Sequence, residues 1–327
     1  MSQPTVCICI PTYNAAGTLA ETLLSVLAQT HQNLIVKIFD NASTDSTLQL
    51  AKSFQEKDPR IQIYTSDMNL GGEGNFTRCL KAAEGDYTAI YHSDDLYHPL
   101  IVEESVAFLE KHQDCGAVAV HAHLIDENAQ ITGERFLPNE LRSQREAVLN
   151  EAAFLELLAL YGNFVTCPSV MARSQLYRDQ IAQWNGREFK TSADLDVWWR
   201  VTQVSRLGFL AKPLMSYRVS QASFTVRETK RRLTRHDLFL VIDRMRATRP
   251  AMQTKLASAR IEFLEFKDVA LRRLNIVRSK APDSLPRFQG SWLTLFKTGF
   301  TSQFHFKFLI IGLGLFILTS ILRGGKP

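Results

Sequence analysis

Hydrophobic and polar positions alternate in blocks along the first 125 residues, and the period of each block changes. Val6–Ile10 is a short continuous apolar run, as a strand covered on both faces would be. Thr18–Gln29 carries Leu19, Leu23, Val26 and Leu27 at helical spacing, and Leu34–Asp40 is a second apolar run. The pattern then predicts a helix at Ser46–Lys57, closed by Asp58-Pro59, and a strand at Ile61–Thr65. A helix at Gly72–Ala83 and a strand at Tyr87–Tyr91 come next, followed by a helix at Leu100–Lys111 and a strand at Ala117–Ile125. Strands alternating with helices predict an α/β fold with a mostly parallel central sheet flanked by helices. Right-handed crossovers bring the strand ends to one edge, where open α/β sheets bind ligands.

Beyond this block the pattern is sparser. Residues 126–146 are polar and predict a loop, Ala147–Leu160 a helix, and Cys167–Arg173 an extended segment. Leu195–Val204 predicts an amphipathic helix and Phe209–Val219 one or two short strands. From Arg227 the chain turns basic, with helices expected at Glu228–Arg246 and Ala251–Lys280, and Pro282, Pro286 and Gly290 marking a linker. Phe308–Leu322 is fifteen residues without a charge. At 1.5 Å per residue it reaches about 22 Å, short of a ~30 Å hydrocarbon core. Phe296, Phe300, Phe304 and Phe306 extend the apolar character toward its N-terminus, a series suited to a membrane interface. The expectation is a short spanning or in-plane membrane anchor, against a buried helix or an oligomer contact.

Composition adds little to class but much to organisation. A 45% hydrophobic, 22% charged chain of 327 residues is ordinary for one large or two modest globular domains. The net charge of +5 hides an asymmetry. Residues 1–223 hold 18 Lys/Arg and 26 Asp/Glu, whereas residues 224–327 hold 20 and 7. The basic part is expected to face an anionic partner. The expected boundaries are 1–223, 224–280 and 281–327. Five scattered cysteines form no C-x-x-C pair, and Cys7 and Cys9 read as small buried residues, which suits a reducing compartment. No signal peptide is expected, because the apolar run after the polar Met1–Thr5 is only five residues long.

Three strand ends are chemically rich: Pro11-Thr12-Tyr13-Asn14, Asp40-Asn41-Ala42-Ser43-Thr44-Asp45, and His92-Ser93-Asp94-Asp95. The two adjacent carboxylates Asp94 and Asp95 fit a divalent cation, or alternatively an N-cap for the helix near Pro99. Asn69-Leu70-Gly71-Gly72 with Asn75 is a tight turn opening a helix, and Ser192-Ala193-Asp194-Leu195-Asp196-Val197-Trp198-Trp199-Arg200 opens a late helix with acids.

Together these motifs, in this order over residues 4–223, resemble the family 2 glycosyltransferases and their nucleotide-sugar-binding fold, called GT-A. The resemblance implies an inverting, metal-dependent transferase that moves a sugar from a nucleotide sugar, preferably a UDP-sugar, to a hydroxyl acceptor. It implies a bacterial-type role in polysaccharide or lipid-linked glycan synthesis; the cysteine pattern and the basic, apolar C-terminal region add the expectation of a cytoplasmic enzyme held at the inner face of the membrane. By resemblance, Thr12 and Tyr13 contact the nucleoside, Asp40 accepts from the pyrimidine N–H, and Pro11, Asn14, Asn75 and Arg78 complete the donor site. Asp94 serves the ribose, Asp95 binds Mn²⁺ or Mg²⁺, and Asp194 is the general base. Asp196 is a rival to Asp194, and capping of the helix at Leu195–Val204 is the alternative role for Asp194. Trp198 and Trp199 are expected to pack or to line the acceptor site.

The chain leaves the family pattern at Gly74, His92, Ala193 and Ser220-Gln221, where relatives often carry Arg, Asp, Glu and a metal-binding His. The departure at Gly74 is why Arg78 enters as a substitute. His92 is expected to be a hydrogen-bonded neighbour of the metal site, with Mn²⁺ ligation the alternative. The departures also keep open a catalytically inactive nucleotide-sugar-binding module, and the chain offers no G-x-G-x-x-G for a dinucleotide enzyme. A homo-oligomer is compatible with the tail; a nucleic-acid partner is not expected, because no base-reading motif accompanies the charge.

Overall fold

A computed structural model describes residues 3–220, 229–281 and 284–322. The chain divides into two compact units, Met1–Phe154 with Phe164–Ser220, and Leu155–Asn163 with Gln221–Pro327.

The first unit is built on a ten-stranded mixed sheet in the order β3-β2-β1-β4-β9-β6-β10-β5, with β7 on β6 and β8 on β10. β1 (Val6–Thr12) lies between β2 (Leu34–Asp40) and β4 (Tyr87–Ile90), parallel to both, and β3 (Ile61–Tyr64) continues the parallel half beyond β2. Every residue from Val6 to Ile10 is fully buried, as expected of a strand with helices on both faces. The helices are α1 (Leu19–Leu27), α2 (Thr47–Gln55), α3 (Gly71–Lys81) and α4 (Ile101–Lys111). Gly85 turns the chain into β4 at φ +68°, where a Cβ would lie 2.7 Å from the Thr5 carbonyl. That carbonyl accepts from both Asp86 N and Tyr87 N, so the glycine permits β4 to dock against β1.

The other half of the sheet departs from the sequence pattern. β9 (Val170–Arg173) runs antiparallel between β4 and β6 (Cys115–Ile125), after a 3₁₀ turn at Cys167–Ser169. β10 (Arg206–Arg218) is one thirteen-residue strand with register shifts, not two short ones, and it pairs with β5 (Leu96–Tyr97). The expected loop at 126–146 contains β7 (Ile131–Glu134), the short helix α5 (Asn139–Arg142) and the start of β8 (Glu146–Leu149). β7 is largely exposed, so its sequence carries no apolar signal. The helix expected from Ala147 starts later, as α6 (Glu151–Tyr161). Asn150 ends β8 and caps α6, its Oδ1 accepting from Ala153 N at 2.9 Å. A π-helical turn at Leu176–Ile181, α7 (Gly186–Phe189) and α8 (Ala193–Val204) complete the unit.

In the second unit the expected first basic helix is broken. Residues 229–231 are helical, 232–237 are not, and α9 covers Leu238–Thr248. The break is held from α10 (Lys255–Ser279): Asn275 Nδ2 donates to the carbonyls of Thr229 and Arg232, and Asp268 pairs with Arg232. Gln221, Arg227, Glu228 and Pro282, named above, lie outside the described residues. α11 (Trp292–Gly299) and α12 (Gln303–Leu322) pack on α10 around Phe263, Phe266, Leu295 and Leu309. α12 runs through Lys307 and so has 20 residues, five more than the uncharged run. Its length of about 30 Å is enough to cross a membrane. Arg273 of α10 is buried against it, donating to Thr319 Oγ1, the Phe316 carbonyl and Ser320. The opposite side exposes Phe306, Ile310, Ile311, Ile317, Leu318, Ile321 and Leu322.

Candidate active site

The parallel strands deliver the first two motifs side by side. Thr12 and Asp40 are register partners at the carboxyl ends of β1 and β2, and Asn41 N donates to the Thr12 carbonyl at 2.9 Å. Asn14, in the left-handed region at φ +48°, ties the two loops together. Its N–H donates to Ser43 Oγ at 3.0 Å, and its Oδ1 accepts from Thr44 N at 2.8 Å. Asp45 Oδ1 accepts from Thr47 N, the first residue of α2, at 3.0 Å. Tyr13, between Thr12 and Asn14, leaves its ring 47% exposed beside this edge. Asp40 is buried; its Oδ2 accepts from Ser43 N at 3.1 Å, while Oδ1 is buried with no hydrogen-bond partner. An unsatisfied buried acceptor costs about 1–3 kcal/mol unless a ligand supplies a donor.

The turn after β4 gathers His92, Asp94 and Asp95. One ligand atom from each lies within 4.8 Å of the others. Asp95 is 1% exposed; Oδ1 accepts from Arg218 N at 2.8 Å and Oδ2 has no partner. His92 Nε2 is likewise buried and unpartnered, and Nδ1 stands 3.7 Å from Asp95 Oδ2, beyond hydrogen-bond range. The capping alternative for these acids falls away, because α4 begins at Ile101 behind Leu100 and Asp95 is bound to β10. Burial first, then the charge of Asp94, pushes the Asp95 carboxyl well above the usual carboxylate range. Burial lowers the His92 imidazole, against the opposing pull of Asp94. Two carboxylates and a neutral imidazole with orphaned buried atoms form a donor set that fits a divalent cation.

Sequence reasoning missed what holds this turn. The Arg218 side chain is 5% exposed, and its Nε donates to the Asp94 carbonyl at 2.8 Å. The rest of its guanidinium binds the Asp126 and Glu127 carbonyls and, at 2.6 Å, Glu21 of α1. Thr22 and Thr18 of α1 fasten the same turn through the Asp95 and Ser93 carbonyls, each at 2.9 Å. The available signal was Arg218, a basic residue at the C-terminal end of β10. The His92 ring is set edge-on to Phe76, 5.6 Å away, and Phe76 stacks on Trp184 at 4.4 Å.

Asp194 lies in the first turn of α8, partly exposed, with Oδ1 accepting from Leu195 N at 2.8 Å. Asp196 is different: it is buried and held by Asn185 Nδ2 and Arg200 Nε, each at 2.9 Å. Both bonds fall on Asp196 Oδ2. Burial, then the charges of Asp194 and Asp95, raise the Cys167 thiol well above its ordinary range. Trp198 and Trp199 are both buried, and Trp199 Nε1 donates to Glu151 at 3.0 Å.

Asn75 and Arg78 are committed to backbone. Asn75 Nδ2 donates to the Phe39 carbonyl at 2.8 Å. Arg78 donates to Asn75 Oδ1 and to the carbonyls of Asp40, Tyr64 and Thr65, with its guanidinium 5.2 Å from the Phe39 ring centroid. Both fix the ends of β2 and β3, and through them the position of Asp40.

Residues 7–173 match the family model described as "Glycosyl transferase family 2". EpsE of Bacillus subtilis (strain 168), named provisionally as a glycosyltransferase, is 29% identical over 243 residues, covering 74% of this chain and 80% of its own. An uncharacterized glycosyltransferase, MJ1057, of Methanocaldococcus jannaschii is 25% identical over 222 residues, covering 67% of this chain and 72% of its own. Among solved structures, the mannosyltransferase PcManGT of Pyrobaculum calidifontis, in complex with GDP-Man and Mn²⁺, superposes with a TM-score of 0.60 at 16% identity. That match covers 98% of this chain and 87% of PcManGT. TarS 1–349 of S. aureus in complex with UDP-GlcNAc gives 0.58 at 16% identity, covering 96% and 81%. At such identities the likeness is one of fold.

Proposed function

The chain belongs to glycosyl transferase family 2 and is a transferase, and from that premise we propose a single inverting displacement of a sugar from a nucleoside diphosphate to a hydroxyl acceptor. The observation that carries the reading is the pair of buried carboxylate oxygens without partners, Asp40 Oδ1 and Asp95 Oδ2, at the ends of two strands that flank β1. Asp40 Oδ1 accepts from a pyrimidine N–H, which favours a UDP-sugar, while Pro11, Thr12, Tyr13 and Asn14 receive the nucleoside with the Tyr13 ring against the base. Asp94 serves the ribose. A Mn²⁺ or Mg²⁺ ion on Asp95 would neutralise the departing diphosphate. Asp194 takes the acceptor proton as the hydroxyl attacks. Asn75 and Arg78 act one step back, holding the strand end that presents Asp40. PcManGT with GDP-Man and Mn²⁺, and TarS with UDP-GlcNAc, support a nucleotide-sugar donor. The inactive-module alternative has no such support, since the relatives are named as transferases.

The test is turnover of a panel of UDP- and GDP-sugars by the full chain with Mn²⁺. Asp40→Asn is expected to weaken UDP binding about 10-fold or more, the worth of one hydrogen bond to a charged acceptor. Asp194→Ala is expected to abolish transfer while leaving UDP affinity unchanged, and NMR of the product anomer reads inversion. Transfer that survives in both Asp95→Ala and Asp194→Ala overturns the assignment.

The acceptor belongs, on this reading, to a lipid-linked or surface-polysaccharide precursor at the inner face of the cell membrane. The support is the exposed apolar side of α12, continued by Trp292, Leu293, Phe296 and Phe300, in a strongly basic unit. Flotation with vesicles containing anionic phospholipid checks it; a chain that stays with the soluble fraction at low salt refutes it.

A further inference from the structure

His92 stands with Asp94 and Asp95 in the turn after β4, and its surroundings give it a task. The imidazole is about a quarter exposed, with Nε2 buried and unpartnered. It is fixed on two sides. Its backbone N–H donates to Tyr97 Oη at 2.8 Å, and its ring packs edge-on against Phe76. No hydrogen bond from the ring is formed among the described residues. His121, by contrast, has its Nε2 3.3 Å from Glu134 Oε2. The 3.7 Å from Nδ1 to Asp95 Oδ2 is too long for a hydrogen bond, yet both atoms come within reach of one ion. Two ligands, each about 2.1 Å from a small divalent ion, lie at most about 4.2 Å apart.

We infer that His92 is a nitrogen ligand in the cation site and shifts its preference from Mg²⁺ toward Mn²⁺. Mg²⁺ is a hard ion that takes oxygen ligands and waters, and it gains little from an imidazole. Mn²⁺ accepts mixed nitrogen and oxygen donors and lies above Mg²⁺ in affinity for nitrogen. An aspartate at this position would offer a third carboxylate and keep the site hard. The inference rests on the proposed role of Asp95 in metal binding, and its test separates the two.

The experiment loads the full chain with MnCl₂ in the presence of UDP or GDP and follows free Mn²⁺ by EPR, with Mg²⁺ as competitor. Pulsed EPR of bound Mn²⁺ reads ¹⁴N coupling. The native chain is expected to show ¹⁴N coupling and to hold Mn²⁺ about 10-fold or more tighter than Mg²⁺. His92→Asp is expected to lose the coupling and narrow the ion preference by about 10–100-fold, the range seen when the surroundings of a metal are altered. His92→Ala, checked for folding by its melting curve, is expected to lose the coupling and weaken Mn²⁺. If the native chain shows no distinct Mn²⁺ site, or Asp95→Asn holds Mn²⁺ as tightly as the native chain does, the metal reading and this inference fall together. If Asp95→Asn weakens Mn²⁺ while the native chain lacks ¹⁴N coupling, or His92→Asp keeps the ion preference, the inference alone is overturned.

Discussion

Replacing Arg218 with methionine keeps most of its buried volume and removes every donor. Three carbonyls then lose their partner, those of Asp94 at 2.8 Å, Asp126 at 3.1 Å and Glu127 at 3.0 Å. At about 1 kcal/mol net for each, the loss is about 3 kcal/mol. The fourth partner, Glu21, is 56% exposed and regains water, so its ion pair adds less than about 1 kcal/mol. A lysine does not rescue, because a single ammonium cannot span partners arranged for a planar fork. Urea denaturation followed by circular dichroism is expected to move the midpoint of the first unit down by about 1 M, for slopes of 2–3 kcal/mol/M. The fold consequence has a functional counterpart. Arg218 also fixes the Asp94-Asp95 turn, so the folded variant is expected to bind Mn²⁺ with UDP about 10-fold more weakly. A loss below about 1 kcal/mol with Mn²⁺ affinity unchanged refutes the clamp.

Two further expectations concern proton linkage. The Asp95 carboxyl, raised by burial and then by Asp94, holds a proton in the metal-free folded chain that the unfolded chain releases near pH 3.9. The folded state therefore binds more protons above that pH, and metal-free stability falls as pH rises through the window. Asp95→Asn removes the slope, so melting temperatures in EDTA should diverge in favour of the variant between about pH 4 and 7; a constant difference refutes it. Lys267 is the opposite case. Burial lowers its pKa from 10.5 to about 8, with its ammonium 3.9 Å from the Phe308 ring centroid and 5.1 Å from that of Phe304. The unfolded chain then binds more protons between those values, and stability rises with pH across the window. The shift bounds the penalty at about 3 kcal/mol, and the ring contacts return about 1 kcal/mol, so Lys267→Met should stabilise by about 1–2 kcal/mol at neutral pH. A less stable variant at pH 7 would refute this.

The parallel half of the fold was legible because its strands are apolar on both faces and its helices carry one apolar stripe. Leu34–Asp40 matches the observed strand at both ends. The antiparallel half was not, for different reasons in different places. β7 exposes most of its side chains. β8 has four residues, too few to separate period 2 from the helix that follows. The insertion of β9 between β4 and β6 is a long-range choice that no local pattern encodes. The same division holds in the site. The acids of the strand ends could be read as a group because parallel crossovers bring them to one edge. Arg218 could not, because its partners lie up to 197 positions away in sequence.

Within that edge, neighbouring polar residues separate into two kinds. Asn41 is fully used, donating to Asn69 Oδ1 and the Gly71 carbonyl and accepting from Leu70 N. Asn14 and Asn75 are likewise tied to the loops and strand ends around them. The carboxylates beside them are not, since Asp40 Oδ1 and Asp95 Oδ2 are buried with nothing to accept from. Neither acid has, among the described residues, the second partner that would offset its burial. Stability alone therefore does not account for the acids. The residues that fasten the edge can be told from those that meet the ligand by this difference in satisfaction, although all of them are polar, close together and largely out of solvent. The criterion also places His92 with the acids, since its ring forms no hydrogen bond among the described residues while Nδ1 stands 3.7 Å from Asp95 Oδ2.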